Sequence, residues 1–516
     1  MPCPSGLCAV GLAESLTTAM SPVARRRVPD GPTVPSDHRA ESPTASGRAS
    51  GRRTWAGLLL VALLVAWSPA VQAGDTSPAL FLWPPFLTTP APSWWPQFLG
   101  AQVTVIPQHL FPFHSPYAGP NSLVATGDTQ VTHTYGAYFG TQIVPRLQGY
   151  VDVEMARGKA VSKAVGLGGL TNGDVIRAGS VELGQGPYVA RAFMRYVVPL
   201  STVWEEVVRD MDQLPGMDPV RRLEVKAGIL ALPDDFDRNR YANNPRTQFM
   251  NWSFMFNTAW DFAADTRGYT RGLMVGWITP TWAVRLGSYQ MPTFANGNIL
   301  DGDILRARGD NLELTLQPPA WGTVVRLLAY ANHARMGRYT VAVAQARTTG
   351  TTPDIVADDR PGRVKYGVTL NLEQPVADGG ETGLFLRLGW NDGQTESFAY
   401  TEVDTLLSLG LQVSGVHWGR GADRLGLAVA SGGLVAQHRR YLEAGGSGFV
   451  LGDGRLHYGR ENILEAYYRC QVGRYVQLSP GVQFIDHPGY NKDRGPAWVI
   501  GLRLRVSIGG PLPPGT

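Results

Sequence analysis

The chain has 516 residues, of which 44% are hydrophobic and 17% charged, with 61 Gly, 38 Pro, 14 Trp, 19 Tyr and 17 Phe. Nothing in it approaches the roughly 18 consecutive apolar residues of a membrane-spanning helix, and aromatic residues run throughout, so a helical membrane protein and a disordered chain are both excluded. Residues 1–73 hold seven Arg against four acids, which leaves 39 basic and 38 acidic residues beyond them and no basic footprint for nucleic acid.

The N-terminal stretch reads as an extension and export signal over residues 1–73. Arg52-Arg53 precedes an apolar run from Ala56 to Trp67, followed by Ser68-Pro69-Ala70 and Val71-Gln72-Ala73. A charged region, a short apolar region and small residues at the end predict cleavage after Ala73 and release rather than anchoring. Cys3 and Cys8 leave with it. Cys470 then stands alone, and neither an internal disulfide nor a cysteine metal site can form. Residues 74–100, with Trp83-Pro84-Pro85 and Trp94-Trp95-Pro96, are expected to be an irregular lead-in.

From about residue 101 to 508 the chain becomes a series of segments, each about ten residues long, that alternate apolar and polar with period two, as a two-faced strand does. Strands are predicted over 130–143, 146–157, 188–199, 221–230, 246–263, 269–279, 281–290, 309–318, 321–333, 363–373, 381–392, 404–418, 421–431, 461–472, 475–485 and 496–508, with 101–106 as a seventeenth or an edge. Helical patches are expected at Val203–Met211 and Leu434–Leu442, and a short tail at 509–516. In 499–508, Ile500, Leu502, Leu504, Val506 and Ile508 share one face, while Gly501, Arg503, Arg505 and Ser507 share the other. Tight connections (Pro145, Thr279-Pro280, Gly473-Arg474) interleave with long ones (158–187, 291–308, 334–362, 432–460).

A soluble sandwich would alternate too. Three features favour an antiparallel transmembrane β-barrel of about 16 strands (16–18), with short turns at one rim and long loops at the other. The segments have the length that a tilted membrane strand needs, against five or six residues for a typical soluble strand. Trp252, Trp260, Trp277, Trp282, Trp321, Trp390, Trp418 and Trp498 fall near strand ends, as interfacial girdles require. The polar faces carry both signs of charge, unlike a packed core. Within 244–269, Trp252, Phe254, Phe256, Trp260 and Phe262 recur at period two and are expected to face lipid.

Several stretches together resemble a known family. They are Gln108-His109-Leu110-Phe111-Pro112-Phe113-His114-Ser115-Pro116-Tyr117, the block from Asn244-Pro245-Arg246-Thr247-Gln248 through Asp265-Thr266-Arg267-Gly268-Tyr269, Trp282 to Ser288, Leu327 to Tyr330 with Asn332-His333-Ala334, and Gly489 to Pro496. In order and spacing they resemble the OprB-type carbohydrate-selective porins of Gram-negative outer membranes, over about residues 100–508. The resemblance implies a sixteen-stranded barrel that lets mono- or oligosaccharides diffuse passively through a constriction of charged and hydroxyl-bearing side chains. The implied partners are sugars, outer-membrane lipid, and the export and barrel-assembly machinery, with no nucleic acid. Oligomeric state is left open.

No catalytic constellation, metal site or cofactor motif stands out. His109 and His114 fit no standard ligand spacing, and Asp301-Gly302-Asp303 lacks the rest of a calcium loop. No enzyme is expected. By strand parity the inward candidates are Arg285, Glu313, Arg326, Glu224, Lys226, Arg387, Glu465, Tyr467, Arg469 and Arg503, together with Asp152, Glu154, Arg191 and Arg195. Guanidinium and carboxylate groups suit the hydroxyls of a sugar, and a Tyr ring suits its apolar face. Arg285, Glu313 and Arg326 follow one another on consecutive strands and are expected to form a cation–carboxylate–cation row. A secreted carbohydrate-binding β-protein without a pore, and an outer-membrane channel for another small solute, are the alternatives.

Overall fold

Period-two segments form one closed antiparallel sheet. The computed structural model describes residue 92 and residues 94–174, 183–318, 322–399 and 401–509. The export signal, its cleavage point, most of the lead-in, Trp321 and residues 510–516 lie outside the described residues. The strands are β1 (Gln97–Leu110), β2 (Asp128–Val144), β3 (Leu147–Gly158), β4 (Tyr188–Pro199), β5 (Trp204–Val207), β6 (Gly216–Pro219), β7 (Arg222–Leu230), β8 (Thr270–Ile278), β9 (Trp282–Gln290), β10 (Arg308–Leu316), β11 (Val324–Met336), β12 (Arg360–Ala377), β13 (Thr382–Asn391), β14 (Thr405–Ser414), β15 (Arg424–Gly433), β16 (Glu461–Val472), β17 (Val476–Asp486) and β18 (Ala497–Gly509). All but β5 and β6 pair in chain order around the barrel, and β1 closes on β18, with Val103 opposite Val506. Closure answers every ladder N–H and C=O inside the sheet, which is the condition for crossing lipid.

Alternation sets the two faces. On β10, Leu312 is 46% exposed on the outside, while Asn311 and Glu313 are buried inside. Connections alternate as expected, from tight (145–146, 279–281, 473–475) to long (159–187, 291–307, 337–359, 434–460). Gly473 turns the chain with φ +62°, a conformation that glycine adopts without a steric cost. Two of the long loops carry helices, α2 (Tyr339–Thr349) and α3 (Ala436–Glu443), the second overlapping the expected patch 434–442. They share an apolar cluster with Tyr339, Tyr441, Leu442 and Tyr490.

The structure corrects four expectations. Segment 246–263 is not a strand; its only regular element is the single turn α1 (Trp252–Met255). Residues 101–106 belong to β1, which takes the missing strand's place, so the barrel still has sixteen. Val203–Met211 is not helical: β5 pairs with β6 in a small hairpin, as Val203, Val207 and Val208 suit extended backbone. Last, Trp252, Phe254, Trp260 and Phe262 are buried inside the barrel instead of facing lipid, so Trp252 and Trp260 belong to no girdle. Trp277 and Trp282 pack edge to face at 5.2 Å, and Trp277, Trp390, Trp418 and Trp498 are exposed.

Candidate functional site in the barrel lumen

Residues 231–269, the connection between β7 and β8, enter the lumen. They are shaped by a run of short side-chain turns. Asn239, Asn244, Asn251, Asn257 and Asp265 each accept the backbone N–H two residues on, from Tyr241, Arg246, Ser253, Ala259 and Arg267. Such turns offer the backbone N–H groups a partner other than a strand ladder. The apolar members pack against inward residues of the wall: the Phe249 ring meets Tyr467 of β16 edge to face at 4.9 Å. On β13, Gly383 leaves room for Tyr241, since a Cβ there would lie 2.2 Å from the ring.

The wall holds the segment through buried charges. Arg387, fully buried, pairs with Asp237 (Nε to Oδ2, 3.0 Å) and donates to the Phe254 carbonyl at 2.6 Å. Glu465 accepts the N–H groups of Met250 (2.7 Å) and Asn251 (2.9 Å). Arg503 donates to the carbonyls of Pro245 (2.6 Å) and Gln248 (2.7 Å). Glu313 accepts the Asp237 N–H at 2.7 Å, and Lys226 meets Asp235 at 2.6 Å. From the segment itself, Arg246 reaches Glu154 (2.8 Å) and Asp174 (2.7 Å), and Asp261 accepts the N–H groups of Phe398 and Ala399. All these wall residues are on the inward face. Several face the inserted segment rather than open lumen.

A second group keeps access to the lumen. β9, β10 and β11 pair in order, with Arg285 directly opposite Glu313 and Arg326 directly opposite Thr315. Arg285 donates to Thr315 Oγ1 at 3.2 Å and lies 3.7 Å from Glu313. Arg326 pairs instead with Glu373 of β12 at 3.3 Å. The row therefore runs Arg285, Glu313 with Thr315, Arg326, Glu373, with a second carboxylate that parity did not single out. Side chains of Arg285 and Arg326 are 20% and 14% exposed, and their other N–H groups have no protein partner among the described residues. Along the wall, Glu224 pairs with Arg195 (2.9 Å) and Arg191 with Asp234 (2.6 Å) and Asp152 (3.4 Å). Arg469 is half-buried and, among the described residues, meets neither carboxylate nor carbonyl.

Residues 219–508, from just before β7 to the end of β18, match the carbohydrate-selective porin, OprB family. The chain belongs to that family. A putative porin, QuiX, of Acinetobacter baylyi is 21% identical over 252 residues, 45% of this chain and 53% of that protein, so the match spans about half the relative's length. The high-pH structure of Pseudomonas putida OprB covers 80% of this chain and 94% of its own, at 17% identity and a TM-score of 0.60, and shares the fold. Family and fold are those of an outer-membrane channel.

Parity found the porin wall but missed the groups that the wall holds. Arg246 and Asp261 lie in a stretch read as a strand, and Asp237 in the connection just before it. The recurrence of turn-forming Asn and Asp at 239, 244, 251, 257 and 265 was the available signal.

Proposed function

We propose that this porin is a passive diffusion channel for mono- or oligosaccharides, reached after cleavage of the export signal near Ala73. The carrying observation is the row on β9–β12: two half-buried guanidinium groups keep N–H donors toward the lumen while Glu313 and Glu373 hold their orientation. A sugar entering there exchanges water for Arg N–H groups and a carboxylate or hydroxyl oxygen, so its desolvation is answered. An apolar solute of the same size loses its passage through that ordered water without compensation. Sugars and outer-membrane lipid are the partners this reading requires, with the export and assembly machinery needed only for delivery.

The test is swelling of liposomes that hold the purified protein, in isosmotic solutions of sugars of graded size. Monosaccharides should enter fastest, with rates falling steeply through di- and trisaccharides. Impermeability to all of them would overturn the proposal.

A further inference from the structure

The wall opposite that row carries polar atoms that the protein itself leaves unanswered. Arg469 of β16 is directly opposite Arg424 of β15, and Ser479 of β17 is directly opposite Arg503 of β18. The pairings Tyr467 with Gly481 and Cys470 with Leu478 bring Arg469 level with Ser479. Arg424, Arg469, Ser479 and Arg503 thus make one band across four neighbouring strands, nearly half-way round the barrel from β10.

Arg424 is satisfied: it pairs with Glu381 and donates to the carbonyls of Gly421 and Asp423. The others are not. Among the described residues, the Oγ of Ser479 (2% exposed) has no partner, and Arg503 (1% exposed) has none at Nε and Nη2 although Nη1 is used twice. Arg469 makes no hydrogen bond or ion pair among the described residues, and its Nε is buried. The acids nearby are committed elsewhere. Glu465 gives both oxygens to backbone N–H groups, and Asp423 accepts from Arg420, Tyr468 and Gln471.

Two guanidinium groups and a hydroxyl therefore line one band with no carboxylate between them. Buried donors without acceptors, on like-charged neighbours, are costly. An oxyanion answers both costs, because its several lone pairs match planar guanidinium forks and a hydroxyl at once. The Tyr467 ring, 5.9 Å from the Arg503 guanidinium, adds an apolar face beside the band.

We propose that Arg469, Ser479 and Arg503 form a subsite for an oxyanion carried by a sugar-sized solute, the carboxylate of a sugar acid or the phosphate of a sugar phosphate. The inference rests on the diffusion reading above and adds a charged class of solute to it.

Single-channel recording in dilute KCl, where screening is weak, tests it with glucose, glucuronate and glucose 6-phosphate as blockers of the ion current. In the unaltered protein at least one anionic sugar should block at a concentration about tenfold lower than glucose, as one charged hydrogen bond allows. Which of the two blocks better assigns carboxylate or phosphate. Arg469 has no partner to orphan among the described residues, so Arg469→Gln keeps the barrel folded, and it should lower the anionic-to-neutral block ratio about tenfold. Equal block by all three sugars, or a ratio that Arg469→Gln does not change, overturns the subsite. Block by glucuronate but not glucose would sink the neutral-sugar reading and leave the subsite standing. No block by any of the three overturns both.

Discussion

At the scale of single residues, direction and access are separate properties. Arg326 and Arg387 both point inward, yet Arg387 is fully buried against Asp237 while Arg326 keeps free donors. Truncating Arg326 should therefore test sugar contact with little structural cost. Its partner Glu373 also accepts the Arg240 N–H at 2.8 Å, so Arg326→Ala does not leave that carboxylate bare. Losing a charged hydrogen bond amounts to about 1–3 kcal/mol. Sugar block of the ion current should weaken correspondingly, with the protein still migrating as a folded barrel in unheated gels. Unchanged block would place the sugar contact away from this row. The sequence made the inward set legible, because a strand's faces alternate by covalent geometry. It did not tell Arg326 from Arg387, since only the inserted segment, folded across the lumen, decides which of them still meets solvent.

At the scale of elements, the segment between β7 and β8 is what sets this barrel apart from an open tube. Strand patterning misread residues 246–263 because Trp252, Phe254, Phe256, Trp260 and Phe262 recur at even spacing, as on one face of a strand. What marks it as inserted is long-range: Asp237, Met250, Phe254 and Asp261 find their partners on distant strands, and no local rule reports that. Asp237 is the central tie, joining Arg387, Asn371 and the Asn257 N–H. Asp237→Ala would strand a fully buried guanidinium, at a cost of about 3–5 kcal/mol. The segment should loosen, and single-channel conductance should rise; equal conductance would show that the segment does not limit current. The rim behaves differently. Glu396, in the loop between β13 and β14, accepts the Gly337 N–H at 3.0 Å, and burial pushes its carboxyl up to about 7. Since the folded value lies above the unfolded one, the folded loop holds the proton more tightly. The resulting stability is full below the unfolded value and is lost as pH rises through about 7. Exchange protection at the Gly337 amide, corrected for intrinsic rate, should fall between about pH 5 and pH 8. Glu396→Gln should flatten that dependence, and a wild type already flat would contradict the assignment.

At the scale of the whole molecule, the barrel is turned inside out relative to a soluble protein. Apolar side chains such as Leu273, Leu286, Leu312, Leu327 and Val368 stand 46–54% exposed around the outside, while charge and a second apolar core are enclosed. Only lipid around the sheet makes that arrangement favourable, and closure of β1 on β18 removes the edges that lipid could not satisfy. Two adjacent residues on β11 put the whole arrangement to the test. Arg326 and Leu327 are covalent neighbours on opposite faces, so one new charge can be placed beside lipid without disturbing the lumen charges. Leu327→Arg puts a guanidinium on the lipid face, with an expected cost of about 2–4 kcal/mol if it sits near the bilayer midplane, less toward the rims. Arg326→Leu removes a charge from the lumen, where substitution tunes selectivity more than stability. Refolding into bilayers across a denaturant series should show Leu327→Arg shifted to lower denaturant and Arg326→Leu close to the unaltered protein. The reverse order would mean that the faces are exchanged, and with them the assignment of every inward residue on β9 to β12.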